Sequence, residues 1–132
     1  MVPVLVDSSV WISFFRNQAN EQVKKLDDLL EQGGPVCVCP IIIQEVLQGI
    51  SDPKTFDWVK DLLLRQIVLK CDSMESALES AKIFQLLRRR GVTIRSSADC
   101  TIAYHAMFYE AMLLHIDRDF IKIANAIGLK IF

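Results

Sequence analysis

The sequence predicts an α/β fold around a mostly parallel sheet, and three observations carry that reading. Short, wholly apolar segments rich in β-branched residues alternate with amphipathic segments along the whole chain. Glycine and proline fall at the junctions between them. The hydrophobic share, 52% of 132 residues, is enough to cover a sheet on both faces without staples. Parallel strands need crossover helices, so strict alternation implies a sheet sandwiched by helices.

The elements follow in order. Pro3 to Asp7 reads as a strand that ends on an acid, and Ser8 or Ser9 as the cap of an apolar helix running through Trp11 to Phe15. Glu21 to Gln32 carries Val23, Leu26, Leu29 and Leu30 at helical spacing and stops at Gly33-Gly34-Pro35. Val36 to Val38 is a short strand, and Pro40 suits the start of a helix over Ile41 to Ile50. Asp52-Pro53 opens the next helix, followed by a strand over Ile67 to Leu69. Ser73 to Arg90 forms the longest helix, with Ser73 as its cap and Gly91 as its stop. A helix capped by Ser96 or Ser97 extends to about Tyr109. Met112 to Ile116 is a buried strand, Phe120 to Ile127 a helix closed by Gly128, and Lys130 to Phe132 a last strand. With no repeat and no linker, residues 1–132 are expected to form one domain.

Composition excludes several classes. The longest apolar runs, Val36 to Ile43 and Met112 to Ile116, fall well short of the roughly 18 residues of a membrane helix. The N-terminus has no basic flank of the kind a secretory signal carries, so a cytoplasmic protein with four free thiols is expected. Cys37 and Cys39 lack zinc or redox spacing and read as buried structural residues. A net charge of −1 argues against binding nucleic acid through bulk electrostatics. One basic run stands out, with Lys82, Arg88, Arg89, Arg90 and Arg95 and no intervening acid. It suits a helix C-terminus by dipole complementarity alone, and equally suits RNA phosphates.

The acids carry the chemistry. In an open parallel sheet, ligands bind beyond the carboxyl ends of the strands. Asp7 closes Val4-Leu5-Val6, and Asp117 closes Leu113-Leu114-His115-Ile116, with Asp119 two residues later. Taken singly, each reads equally well as a turn or cap acid. Glu45 shares a helical stripe with Ile41, Ile42 and Gly49, and Asp99 precedes Ile102 and Ala103 at i+3 and i+4, so both face inward. Carboxylates gathered in an apolar crevice need a cation among them. Mg²⁺ or Mn²⁺, which take oxygen ligands and serve phosphodiester hydrolysis, fit that need. His105 and His115 each read as packed core residues rather than ligands.

Four stretches, Val6-Asp7-Ser8-Ser9-Val10-Trp11-Ile12, Ile43-Gln44-Glu45-Val46, Ser97-Ala98-Asp99-Cys100-Thr101-Ile102-Ala103 and Leu114-His115-Ile116-Asp117-Arg118-Asp119-Phe120, together resemble the PIN-domain nucleases. The likeness is greatest to VapC-type toxins of prokaryotic toxin-antitoxin pairs and covers essentially the whole chain. It implies a three-layer α/β/α sandwich and a metal-dependent endoribonuclease whose acidic pocket is Asp7, Glu45, Asp99 and Asp117 around Mg²⁺ or Mn²⁺. Asp119 matches the second acid of the Asp-x-Asp-Phe ending, where assisting the metal competes with capping the last helix, the reading favoured. Ser9 matches a hydroxyl often found near the metal. Arg88, Arg89, Arg90 and Arg95 are candidates for RNA binding. The resemblance further implies a homodimer and a cognate antitoxin whose tail enters the acidic groove. His115 departs from the pattern, which more often has a small hydroxyl residue there.

Other classes compete, a metal-dependent phosphatase using the same kind of pocket among them. A receiver domain would want paired acids after its first strand, where this chain has Ser8-Ser9. A catalytically idle binding module on the same fold, or a nuclease directed at DNA, would keep the same architecture.

Overall fold

The computed structural model describes residues 1–132. Four strands, β1 (Val4–Val6), β2 (Val36–Val38), β3 (Ile67–Val68) and β4 (Met112–Leu114), form one sheet in the order β3-β2-β1-β4, every pairing parallel. Seven helices connect them: α1 (Ser8–Phe15), α2 (Glu21–Glu31), α3 (Pro40–Leu47), α4 (Pro53–Leu64), α5 (Ser73–Arg89), α6 (Ala98–Phe108) and α7 (Asp119–Ile127). The chain steps from β1 to β2 to β3 in one direction and then crosses back to place β4 on the other side of β1. Right-handed crossovers therefore put α1 to α4 on one face and α5 to α7 on the other. The packing agrees, since α1 meets α2 and α3, α3 meets α4, and α5, α6 and α7 meet one another.

The core lies on both sides of the two central strands. Val4, Leu5 and Val6 are buried, as are Val36, Cys37 and Val38, because a strand covered on both faces has no residue to spare for solvent. Trp11 of α1, Leu26 of α2, Ile42 of α3 and Leu63 of α4 fill one face, and Leu87, Ile102, Phe120 and Ile123 fill the other. All four cysteines are free, and burial pushes the Cys39 thiol up to about 12. No helix is long and apolar enough to cross a membrane.

The boundaries differ from expectation in instructive ways. Three helix caps sit one residue earlier than the serines suggest, or lack a side-chain bond. Asp7 rather than Ser8 or Ser9 caps α1, accepting from the Ser9 N–H, and Asp72 rather than Ser73 caps α5, accepting from Glu75. Both aspartates have extended backbones and so stand just outside the helix, which is what a cap requires. At α6, Ser97 occupies the cap position without a side-chain cap bond, while the Ser96 hydroxyl accepts from Ala98 N–H at 3.3 Å. Strand β4 stops at Leu114, two residues short of Ile116, and the expected last strand is a single parallel bridge between Leu113 and Ile131. Gly128 closes α7 at φ 78°, a conformation that suits a residue without Cβ.

Candidate metal centre

The strand order places a topological switch point between β1 and β4, because the connections leaving these neighbours run to opposite sides. The acids lie at that crevice. Val6 pairs with Leu114, and the Asp7 N–H donates to the Leu114 carbonyl at 2.9 Å, so the two strands end level. Beyond β4 the ladder is abandoned. The Ile116 N–H donates to the Ser9 hydroxyl at 3.2 Å instead of to a strand, and the turn that follows delivers Asp117 and Asp119 back over the sheet end.

Ser9 makes two contacts with one hydroxyl. It donates to Asp7 Oδ2 at 2.5 Å while accepting from Ile116, so it ties the end of β1 to the segment after β4. Burial pushes the Asp7 carboxyl above the ordinary carboxylate range, and the two Ser9 bonds pull against that shift. Across the crevice, Ser8 donates to Glu45 Oε1 at 3.0 Å. Glu45 too is raised, chiefly by burial and further by the nearby Asp7 charge, with the Ser8 bond opposing. The first turn of α1 thus supplies a hydroxyl to each of two acids.

Asp99, in the first turn of α6, has the most exceptional surroundings. It is 7% exposed, and its Oδ2 is buried without any hydrogen-bond partner. Burial, then the charges of Asp7, Asp117, Asp119 and Glu45 in that order, push its carboxyl up to about 7. Five carboxylates therefore share one neighbourhood, brought from four separate parts of the chain. Oxygens of Asp99, Asp117 and Asp119 lie within 4.8 Å of one another. Asp7 and Glu45 stand outside that tight trio, on the side of α1 and α3.

Basic groups meet two of the acids. The Arg95 main-chain N–H donates to Asp119 Oδ2 at 2.9 Å and its Nη2 to Asp117 Oδ1 at 2.7 Å. Lys122 lies 3.7 Å from Asp119 Oδ1. The Arg95 N–H is the main reason that the buried Asp119 carboxyl is held below the ordinary range, in contrast to Asp99. The favoured expectation for Asp119 is corrected here. Asp119 spends its carboxylate on Arg95 and Lys122, whereas Asp117 Oδ1 accepts the Asp119 N–H at 3.1 Å at the start of α7. Arg118 holds the cap position of α7 and makes no side-chain cap bond, so the helix starts without the aspartate cap expected.

The other candidates divide. Arg90 donates to the Ala126 carbonyl, tying the end of α5 to α7, and Arg88 lies over the Phe84 ring at 5.0 Å. Arg89 makes neither a hydrogen bond nor an ion pair. His115 is 8% exposed and packs against Phe120 at 5.5 Å, and burial holds its ring below the ordinary histidine range. His105 is buried with Nδ1 2.8 Å from the Thr101 carbonyl. The sequence did not single out Ser8 as the partner of Glu45, although the Ser-Ser pair directly after a strand-end acid was the available signal.

An all-oxygen, anionic donor set with a buried orphan oxygen fits a hard divalent cation and offers nothing to a soft one. The PIN domain family matches residues 4–126. VapC ribonuclease Mb1587 of Mycobacterium bovis and ribonuclease VapC11 of Mycobacterium tuberculosis are each 32% identical to this chain over 130 residues, covering 96% of both chains. The fold is shared with VapBC2 from Rickettsia felis, solved bound to a promoter DNA fragment, at 15% identity and TM-score 0.72 over 98% of this chain and 96% of that one. It is shared too with VapBC-1 from nontypeable Haemophilus influenzae, at 21% identity and TM-score 0.72 over 98% and 96%. Strand-end acids, a parallel sheet reversed at β1 and a match over nearly the whole length place this chain in the PIN-domain family, among its VapC ribonucleases.

Proposed function

We propose that this protein is a metal-dependent endoribonuclease, the toxin of a type II toxin-antitoxin pair acting in the cytoplasm as a homodimer and restrained by a cognate antitoxin. The observation that carries the reading is Asp99: a buried carboxylate with an unpartnered oxygen, crowded by four like charges, is a costly arrangement that a cation relieves. Asp7, Glu45, Asp99 and Asp117 would hold Mg²⁺ or Mn²⁺, with Asp119 close by but paired with Arg95 and Lys122. The ion, when bound, supplies a more acidic water and offsets charge on the phosphodiester. Ser9 orients Asp7, and Ser8 orients Glu45, so each carboxylate meets its ligand in a fixed rotamer. The crevice at the sheet end excludes water from the rear of the acids, since the strands beneath are fully buried.

The test is a substrate panel. Purified protein with Mn²⁺ is expected to cut structured RNA, to leave duplex DNA and a phosphate monoester intact, and to lose activity in EDTA. RNA left whole but bound would instead support the idle module, and cleaved DNA the DNA-directed nuclease.

The basic run would hold RNA phosphates beside the cut. Arg89 is its one triplet member free of protein contacts, so its charge is available to a ligand. Arg89→Ala is expected to raise KM severalfold with little change in kcat, and to lower the salt slope of RNA binding by about one unit. An unchanged slope would remove Arg89 from the RNA path.

A further inference from the structure

The acidic site contains a positive charge of its own. Arg95 lies in the segment between α5 and α6, and although its side chain is 76% exposed, its guanidinium pairs with two of the acids. Nη2 reaches Asp117 Oδ1 at 2.7 Å and Nε reaches Asp119 Oδ2 at 3.4 Å. Both acids belong to the trio whose oxygens lie within 4.8 Å of one another. The third member, Asp99, keeps a buried oxygen without a partner. The guanidinium therefore pairs with two of the three acids and leaves Asp99 uncompensated.

The anchoring is asymmetric. The Arg95 main-chain N–H donates to Asp119 Oδ2 at 2.9 Å, and Lys122 stands on the other Asp119 oxygen, so Asp119 keeps one amide donor and one cation whatever the guanidinium does. Asp117 has only the guanidinium as a cationic partner. Its Oδ1 carries both that bond and the one from Asp119 N–H. A dipositive ion entering the trio would meet a positive charge already resident on one of its carboxylates. Like charges on a shared ligand repel, and an exposed arginine side chain is free to leave.

We propose that Arg95 is a resident counterion of this site, which holds Asp117 in the metal-free protein and must be displaced from it when a divalent cation binds. The proposal rests on the metal-dependent reading given above. Metal-bound and Arg95-bound forms of Asp117 are then mutually exclusive, and Arg95 sets how much divalent cation is needed to load the site. The main-chain bond to Asp119 survives any substitution of the side chain, so the segment stays in place when the guanidinium is removed.

The experiment is a calorimetric Mn²⁺ titration of the full chain and of Arg95→Gln and Arg95→Lys, without RNA. Arg95→Gln is expected to bind Mn²⁺ severalfold more tightly than the parent, the scale of one exposed ion pair, and Arg95→Lys to fall between. In the parent, the Arg95 Nε–H resonance is expected to move in step with Mg²⁺ saturation, a readout that needs no variant. Equal Mn²⁺ affinity in parent and Arg95→Gln, or a resonance that ignores Mg²⁺, would overturn the counterion role while leaving the metal site standing. Weaker binding by Arg95→Gln would make the arginine part of the site's framework and also overturn it. No Mn²⁺ binding by any of the three would end the metal reading and this proposal together.

Discussion

Asp99→Asn is expected to abolish RNA cleavage while raising the thermal stability of the metal-free protein. The loss of activity follows from position: Asp99 belongs to the trio and has a buried oxygen without a partner, and even a partner one bond removed from a metal is worth roughly 10–100-fold. The gain in stability follows from electrostatics. Its carboxyl is pushed from 3.8 up to about 7 by burial and by four neighbouring acids, so the folded protein holds that proton more tightly than the unfolded chain. Such a group favours the fold below pH 3.8, and its contribution is lost progressively as pH rises toward about 7. The shift sets a ceiling of about 4 kcal/mol on that loss. Parent and variant should therefore melt together near pH 4 in EDTA, and separate by about 5 °C or more at pH 8, with the variant higher. Saturating Mn²⁺ should reverse the order, since only the parent gains binding free energy. A parent whose melting temperature in EDTA does not fall between pH 5 and pH 8 relative to Asp99→Asn would show that this carboxyl is not under strain. His115 has the opposite sign: its lowered pKa costs stability as pH falls below the ordinary histidine range, and so bounds the useful window from the acid side.

Phe120→Ala is expected to cost roughly 3–5 kcal/mol in urea unfolding, a large share of the roughly 5–15 kcal/mol that holds a domain together. Phe120 is fully buried at the start of α7, packs against the His115 ring and directly follows Asp119. Removing the ring leaves a void beneath the residues that carry two of the acids. Activity should fall along with stability, and Phe120→Leu, which keeps most of the volume, should recover much of both. A cost under about 1 kcal/mol for the alanine variant would mean that α7 contributes little to the core.

The comparison of sequence with structure is clearest at these same residues. The apolar alternation and its Gly and Pro punctuation place every helix to within a few residues, because those signals are local. The acids at strand ends were legible because parallel sheets bind ligands there, and β1 and β4 prove to be neighbours. Arg95 was not legible. Its preference for Asp117 and Asp119 over solvent depends on how the segment after α5 folds back onto α7, which no spacing in the chain encodes. Ile116 misled for a related reason. It looks like the last residue of a strand, but the Ser9 hydroxyl takes its N–H and it ends 39% exposed. Serines drew the caps one residue late because aspartate serves equally well, and only backbone angles tell the two apart. Trp11 Nε1 is buried without a partner, and nothing in the structure explains it.

The centre is assembled from distant stretches, with Asp7 and Asp117 brought level only when Val6 pairs with Leu114. That pairing joins residue 6 to residue 114, a contact between distant stretches of sequence. A nascent chain still threading through the ribosome has made Asp7, Glu45 and even Asp99 before β4 emerges, yet it holds no complete pocket. Long-range strand pairing is also the slow part of folding. The pocket is therefore completed only when the fourth strand docks against the first, however early its acids are made.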